Sequence, residues 1–235
     1  MKIIHETDII RFVDGKLSQL SDVVTVEYSL DISLNGRAAA HLTCTPQEIE
    51  YIVLGHLVNE GLIKNAGEIV SLDIDEENGK ASVVTVPSAP LKTDCKAAGA
   101  AMRFSVDGLR KNLDEFYSSS ELFYTTGAVH RSALCSDNGM ILDAVDISRH
   151  NTLDKLVGKA LRSGIDLKAC YCILSGRVHL DVVKKILVSG IPLLVSRSAP
   201  SINALEEAKL HSLGLVGFAR SNRFNIYCGR EMLIF

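Results

Sequence analysis

Tryptophan is absent, no Cys-x-x-Cys pair occurs, and no apolar run reaches the length of a bilayer-crossing helix. A positive charge excess is missing too: 25 Lys and Arg stand against 28 Asp and Glu, a net charge of −3. That balance speaks against bulk binding of nucleic acid, which wants a strongly basic surface. No Cys and His spacing suggests a closed zinc site, so no metal is expected. The opening residues, Met1 to Asp8, carry acids where a signal peptide needs an unbroken apolar stretch. Twin-arginine and lipidation signatures are also lacking. The expectation is a cytoplasmic protein with no membrane and no nucleic acid among its partners. The six cysteines (Cys44, Cys95, Cys135, Cys170, Cys172 and Cys228) are scattered and expected to be reduced.

What is present is ordinary for a globular chain: 235 residues, 47% apolar and 23% charged. From Val24 to Leu34 apolar and polar residues alternate strictly, which predicts one strand with a buried face. Asn35-Gly36 then turns the chain into a return strand ending at Cys44. Thr45-Pro46-Gln47-Glu48 reads as a capping box opening a helix that stops near Gly61. A second hairpin turns at Asn78-Gly79. Pro87 to Lys96 reads as a loop and Val106 to Tyr117 as a polar helix. Beyond residue 130 strands and helices alternate, with strands Ala169–Leu174, Pro192–Ser196 and Leu215–Ala219, which predicts a largely parallel sheet.

Ligands gather at the carboxyl ends of strands in such sheets. Three predicted ends carry arginine: Ser175-Gly176-Arg177, Ser196-Arg197-Ser198, and the run Phe218, Ala219, Arg220, Ser221, Asn222, Arg223. Taken singly, each is a polar loop with a solvated arginine. Taken together they form a candidate phosphate cradle. Asp146 to Asn151, with Arg149 and His150, suits an anion or a proton transfer at a helix start, or a plain cap at Ser148 or Asn151. Thr125 to His130 resembles a substrate-facing turn, although a lone His130 is more often an ordinary packed or exposed histidine. Cys170 and Cys172 read as buried inert thiols, and Cys44 and Cys135 as structural. Cys95 differs, because it lies in a loop between Lys92 and Lys96, ahead of a small-residue helix start. Cations and a helix start favour thiolate, and Asp94 opposes it.

These segments together resemble the formate dehydrogenase accessory protein family, FdhD. The resemblance runs from about residue 25 to the end. It is carried by Leu54-Gly55-His56-Leu57, Thr126-Gly127-Ala128-Val129-His130, Arg149-His150-Asn151-Thr152-Leu153-Asp154-Lys155, Ser198-Ala199-Pro200, and Gly217-Phe218-Ala219-Arg220. It implies an α/β fold: a cytidine-deaminase-like α/β/α sandwich over residues 101–235. An N-terminal hairpin-and-helix subdomain with the Cys95 loop would occupy 1–100. It also implies a homodimer that serves formate dehydrogenase. A cysteine desulfurase would load sulfur onto Cys95 as a persulfide. That sulfur would pass to the molybdenum of bis-molybdopterin guanine dinucleotide, a sulfurtransferase role. The family's cofactor segment falls on Phe218 to Arg223, with GDP as the expected mimic. Members commonly have a second loop cysteine, and Ala98 stands in its place. Cys95 therefore acts alone, or the protein is a non-catalytic cofactor-binding chaperone. A hydrolytic zinc deaminase is disfavoured, because the sequence contains neither His-x-Glu nor Pro-Cys-x-x-Cys.

Overall fold

Short turns that need left-handed backbone set the N-terminal strands. Asp14 (φ 49°) and Gly15 (φ 79°) join β1 (Ile4–Val13) to β2 (Lys16–Thr25), which form an isolated hairpin. Asn35 (φ 51°) and Gly36 (φ 75°) join β3 (Tyr28–Leu34) to β4 (Arg37–Cys44). Positive φ at both central residues is the hairpin geometry that Asp-Gly and Asn-Gly pairs adopt. The single strand expected from Val24 is two strands, broken at Val26-Glu27. The alternation runs through the break, so periodicity alone does not reveal it.

A computed structural model describes residues 1–86, 102–119 and 121–235. After β4 come α1 (Ile49–Asn59), β5 (Ile69–Asp75) and β6 (Lys80–Thr85). Then follow β7 (Phe104–Ser105), α2 (Val106–Ser118), α3 (Glu121–Thr126), β8 (His130–Ser136), β9 (Gly139–Asp146) and α4 (Arg149–Arg162). The chain continues through β10 (Tyr171–Leu174), α5 (Leu180–Ser189), β11 (Leu193–Ser196), α6 (Ile202–Leu210), β12 (Gly214–Arg220), β13 (Arg223–Cys228) and β14 (Leu233–Ile234). The fold is mixed α/β, with a four-stranded sheet β4-β3-β6-β5 and a six-stranded sheet β13-β12-β11-β10-β8-β9. Only the β10-β11-β12 centre of the larger sheet is parallel; β8, β9 and β13 run antiparallel. The expectation of a largely parallel sheet holds at the three strands whose ends carry arginine.

The strands of the larger sheet alternate between two cores, as a period of two requires. Ala133, Cys135, Tyr171, Ile173, Leu193, Val195 and Val216 pack beneath α2 with Leu109, Leu113 and Phe116. Leu134, Cys172, Leu174, Leu194 and Leu215 face the opposite way, towards α4, α5 and α6. That second core continues through α1 into Leu30, Ile32, Ala81 and Val83 of the smaller sheet. Helix α1 is apolar on nearly all sides because it is enclosed on nearly all sides.

The α1 and α4 backbones almost touch. A Cβ at Gly55 would fall 1.8 Å from the Asp154 carbonyl oxygen, and one at Gly158 2.0 Å from that of Tyr51. Two buried polar clusters lock the pair. Asp154 accepts from Asn59 Nδ2 (2.7 Å), His56 Nδ1 (3.0 Å) and Lys185 Nζ (2.8 Å). Lys155 meets Asp146 at 2.7 Å and donates to Thr45 Oγ1 at 2.7 Å. The expected capping box at Thr45 does not form, because Thr45 donates to Asp146 from both its N–H and its hydroxyl. Glu48, in left-handed backbone (φ 61°), precedes α1 with no side-chain cap.

Candidate functional site

The ends of β10, β11 and β12 are laced together by backbone and hydroxyl hydrogen bonds. Arg197 N donates to Leu174 O (3.1 Å), and Phe218 N donates to Ser198 O (3.2 Å). Ser196 Oγ donates to Gly176 O (2.7 Å) and accepts from Ser198 N (3.0 Å). These bonds hold three loops that are distant in sequence at one rim. They border a cavity of about 460 Å³, within the range usual for small-molecule sites.

One wall is cationic and hydroxylic: Ser175, Arg197, Ser198 and Arg220. A second is aromatic: Phe116 and Tyr117 from the end of α2, with Phe123 from α3. Gly127 to His130, the turn into β8, form the remainder, and Gly127 sits at φ 63°, which favours glycine. Among the described residues no carboxylate lines the cavity. Two arginines without acids, beside flat apolar rings, suit an anionic ligand that carries an aromatic ring.

Each arginine is differently placed. The Arg197 guanidinium lies over the Tyr117 ring, 4.7 Å from its centroid. Arg220 Nη1 donates to Arg197 O (3.0 Å) and Ala219 O (2.7 Å). Tyr117 Oη reaches the same Ala219 carbonyl at 3.4 Å. Burial pushes the Tyr117 phenol up to about 12, although the two neighbouring arginines pull it down. At the inner end, Ser175 Oγ accepts from Arg131 N (3.0 Å) and lies 3.4 Å from His130 Nδ1. Burial holds His130 below the usual imidazole range; Arg149 and Arg177 add to this and Asp146 opposes it. His130 is therefore a neutral ring beside the cations.

Of the run from Phe218 to Arg223, only Arg220 lines the cavity. Phe218 takes a left-handed conformation (φ 51°) where the β12–β13 register shifts, and its ring is exposed. Ala219 is fully buried. Ser221 and Asn222 form the turn, whose Ser221 carbonyl accepts from Arg110 Nε at 2.6 Å. Arg223 starts β13, opposite Arg220. A non-glycine residue in left-handed backbone costs about 1–3 kcal/mol, and here it turns Arg220 into the cavity. Arg177 is exposed outside the lining, while its charge reaches His130. Arg149 packs against the inner end, where Gly176 leaves room: a Cβ there would lie 3.1 Å from Arg149 Cδ and 3.2 Å from His130 Nδ1. Arg149 Nε is buried and has no partner among the described residues. His150 lies beside Arg149 and outside the lining; burial, Arg149 and Lys185 lower its pKa. Ser148 caps α4, accepting from His150 N at 3.3 Å.

Cys95 and Ala98 lie outside the described residues. Among those described, Cys44, Cys135, Cys170 and Cys172 are buried. Burial pushes the Cys44 thiol up to about 12 and raises the other three as well. Thiols so placed are poor nucleophiles.

The aromatic wall escapes the sequence reading, which takes Val106 to Tyr117 only as a polar helix. A signal is nonetheless present: of seven Phe and six Tyr, Phe116, Tyr117, Phe123 and Tyr124 fall within nine residues. The Arg-His-Asn-x-Leu-Asp-Lys segment divides. Arg149 borders the site, whereas Asn151, Asp154 and Lys155 hold the fold together.

Comparison with known proteins identifies the family and matches the fold. The sequence profile described as FdhD/NarQ family matches residues 25–234. The chain is similar to proteins named sulfur carrier protein FdhD. One from Listeria innocua is 31% identical over 99% of this chain and 100% of its own. Another, from Bacillus licheniformis, is 32% identical over 97% and 96%. A crystal structure described as a formate dehydrogenase accessory protein, from Desulfotalea psychrophila, superposes with a TM-score of 0.87. It is 25% identical, over 99% of this chain and 100% of that one.

Proposed function

Since the chain belongs to the FdhD/NarQ family, we propose that it is a sulfur carrier required for formate dehydrogenase maturation. In this reading Cys95 accepts sulfur from a cysteine desulfurase and passes it to bis-molybdopterin guanine dinucleotide before the cofactor enters formate dehydrogenase. The observation that carries the cofactor half is the cavity with Arg197 and Arg220, an aromatic wall and, among the described residues, no carboxylate. Two guanidinium forks suit a pyrophosphate, and the ring surfaces suit a guanine. We take the six-stranded sheet between two helical layers as the cytidine-deaminase-like arrangement, and the working protein as a cytoplasmic homodimer.

The sulfur step is an exchange. The Cys95 thiolate attacks the terminal sulfur of the desulfurase persulfide, the donor's S–S bond breaks, and the donor cysteine leaves as thiolate with the bonding pair. Cys95 then carries the sulfane sulfur, with no net oxidation. The five described cysteines are buried or half-buried with raised pKa values, which supports Cys95 as the acceptor.

Incubation with a cysteine desulfurase and cysteine, followed by peptide mass spectrometry, tests this directly. The added sulfur is expected on the Cys95 peptide. Cys95→Ser should abolish both the adduct and formate dehydrogenase maturation while GDP binding persists. Maturation surviving in the Ser variant would favour the second reading, a non-catalytic cofactor-binding chaperone, which Ala98 in place of a second loop cysteine motivates.

A further inference from the structure

Arg197 is the cavity's least restrained cation. Its side chain is exposed, and among the described residues its guanidinium makes no ion pair and donates no hydrogen bond. Such a side chain samples many rotamers, and binding an anion would have to freeze them out. The Tyr117 ring, 4.7 Å beneath it, supplies the restraint. Stacking occupies a face of the guanidinium and leaves its in-plane N–H donors free.

Tyr117 is itself held from behind. Its ring meets Phe116 edge-on, with centroids 5.2 Å apart and planes at 78°. Phe116 in turn lies under Arg131, whose Cζ is 5.1 Å from the ring centroid and whose Nη1 takes the Phe116 carbonyl at 2.7 Å. Arg131 is paired with Asp143 at 2.8 Å. A ladder of cation–ring and edge-to-face contacts thus runs from a neutralised, buried arginine to the cavity arginine, which is unpaired among the described residues. The Tyr117 hydroxyl adds a tie to Ala219 O, the carbonyl that Arg220 also uses. One tyrosine on α2 therefore connects both cavity arginines.

We infer that Tyr117 is the positioning residue of the anion site, orienting Arg197 through its ring so that the cavity selects a diphosphate group. It acts through Arg197 rather than on the ligand's base. Its phenol stays neutral and cannot cancel the Arg197 charge, since burial raises its pKa. The inference rests on the reading of the cavity as the nucleotide end of the cofactor site.

Calorimetric titration of the full chain with GDP and with inorganic pyrophosphate tests it. Tyr117→Leu is expected to weaken both ligands by about 3- to 30-fold, the span of partly to fully desolvated cation–π contacts. Tyr117→Phe keeps the ring and is expected to stay within about twofold of wild type, because it gives up only one long hydrogen bond. In an Arg197→Ala background, Tyr117→Leu should add almost nothing, a coupling that a purely structural role would not produce. Arg197→Lys, at an exposed position, should lose affinity like Tyr117→Leu, since an ammonium lacks the planar fork. Wild-type affinity in Tyr117→Leu, equal losses in the Phe and Leu variants, or additivity with Arg197→Ala would overturn the inference and leave the cavity reading standing. A wild-type protein that binds neither GDP nor pyrophosphate overturns both.

Discussion

His130 and His150 sit where protonation is costly. Both are half-buried, and Arg149 lies close to each. Their folded pKa values lie below the free imidazole value of about 6.5. Just below that pH the unfolded chain therefore binds more protons than the folded one, and stability falls as pH falls. We expect the urea midpoint to drop between about pH 7.5 and about pH 5.5, and to drop less in His130→Gln/His150→Gln. Equal drops in the two proteins would place the acid sensitivity elsewhere. Asp154 shows the opposite balance. Burial works against its carboxylate, yet His56, Lys185 and Asn59 together keep its pKa lowered. Asp154→Ala would leave His56 without its carboxylate and Lys185 with only the exposed Glu60 at 3.0 Å, a loss of about 3–5 kcal/mol for breaking a buried charge network, read from denaturation midpoints.

The decisive element pair is α1 with α4. Their approach depends on Gly55 and Gly158, where any Cβ meets backbone rather than a movable side chain. Gly55→Ala should therefore cost at or above the upper end of the about 1–3 kcal/mol typical of overpacking. A variant within about 0.5 kcal/mol of wild type in denaturant titration would mean that the helices can separate. Element boundaries were partly legible. Asn35-Gly36 forms the expected turn, and the alternation expected from Val24 forms a strand from Tyr28 onward, because turn chemistry and patterning are local. Asp14-Gly15 between two apolar runs carries the same signal as Asn35-Gly36, and it turns the β1–β2 hairpin. The α1 start differs from the capping box expected at Thr45 because Thr45 bonds to Asp146 and Lys155, about a hundred residues away, and no local rule anticipates that competition.

Across the molecule, one core runs from Leu30 and Ile32 through α1 and α4 to Leu194 and Leu215. Continuity of that kind predicts a single cooperative thermal transition, with secondary- and tertiary-structure probes coinciding. Two separated transitions would mean that the N-terminal sheet and the six-stranded sheet unfold independently. The three arginine-bearing strand ends were legible because parallel strands separated by helices leave their carboxyl ends on one edge. By itself the sequence determined the α/β class, the turns, and the three segments that meet at that edge, since each follows from spacing along the chain. Only the tertiary structure decided which of their residues share a cavity. Register and the φ of Phe218 aim Arg220 inward and seat Ala219 in the core. The packing of α2 against the sheet delivers Tyr117 to Arg197. These depend on contacts between segments about eighty to a hundred residues apart, where hydrophobic periodicity carries no information about which side chains will meet.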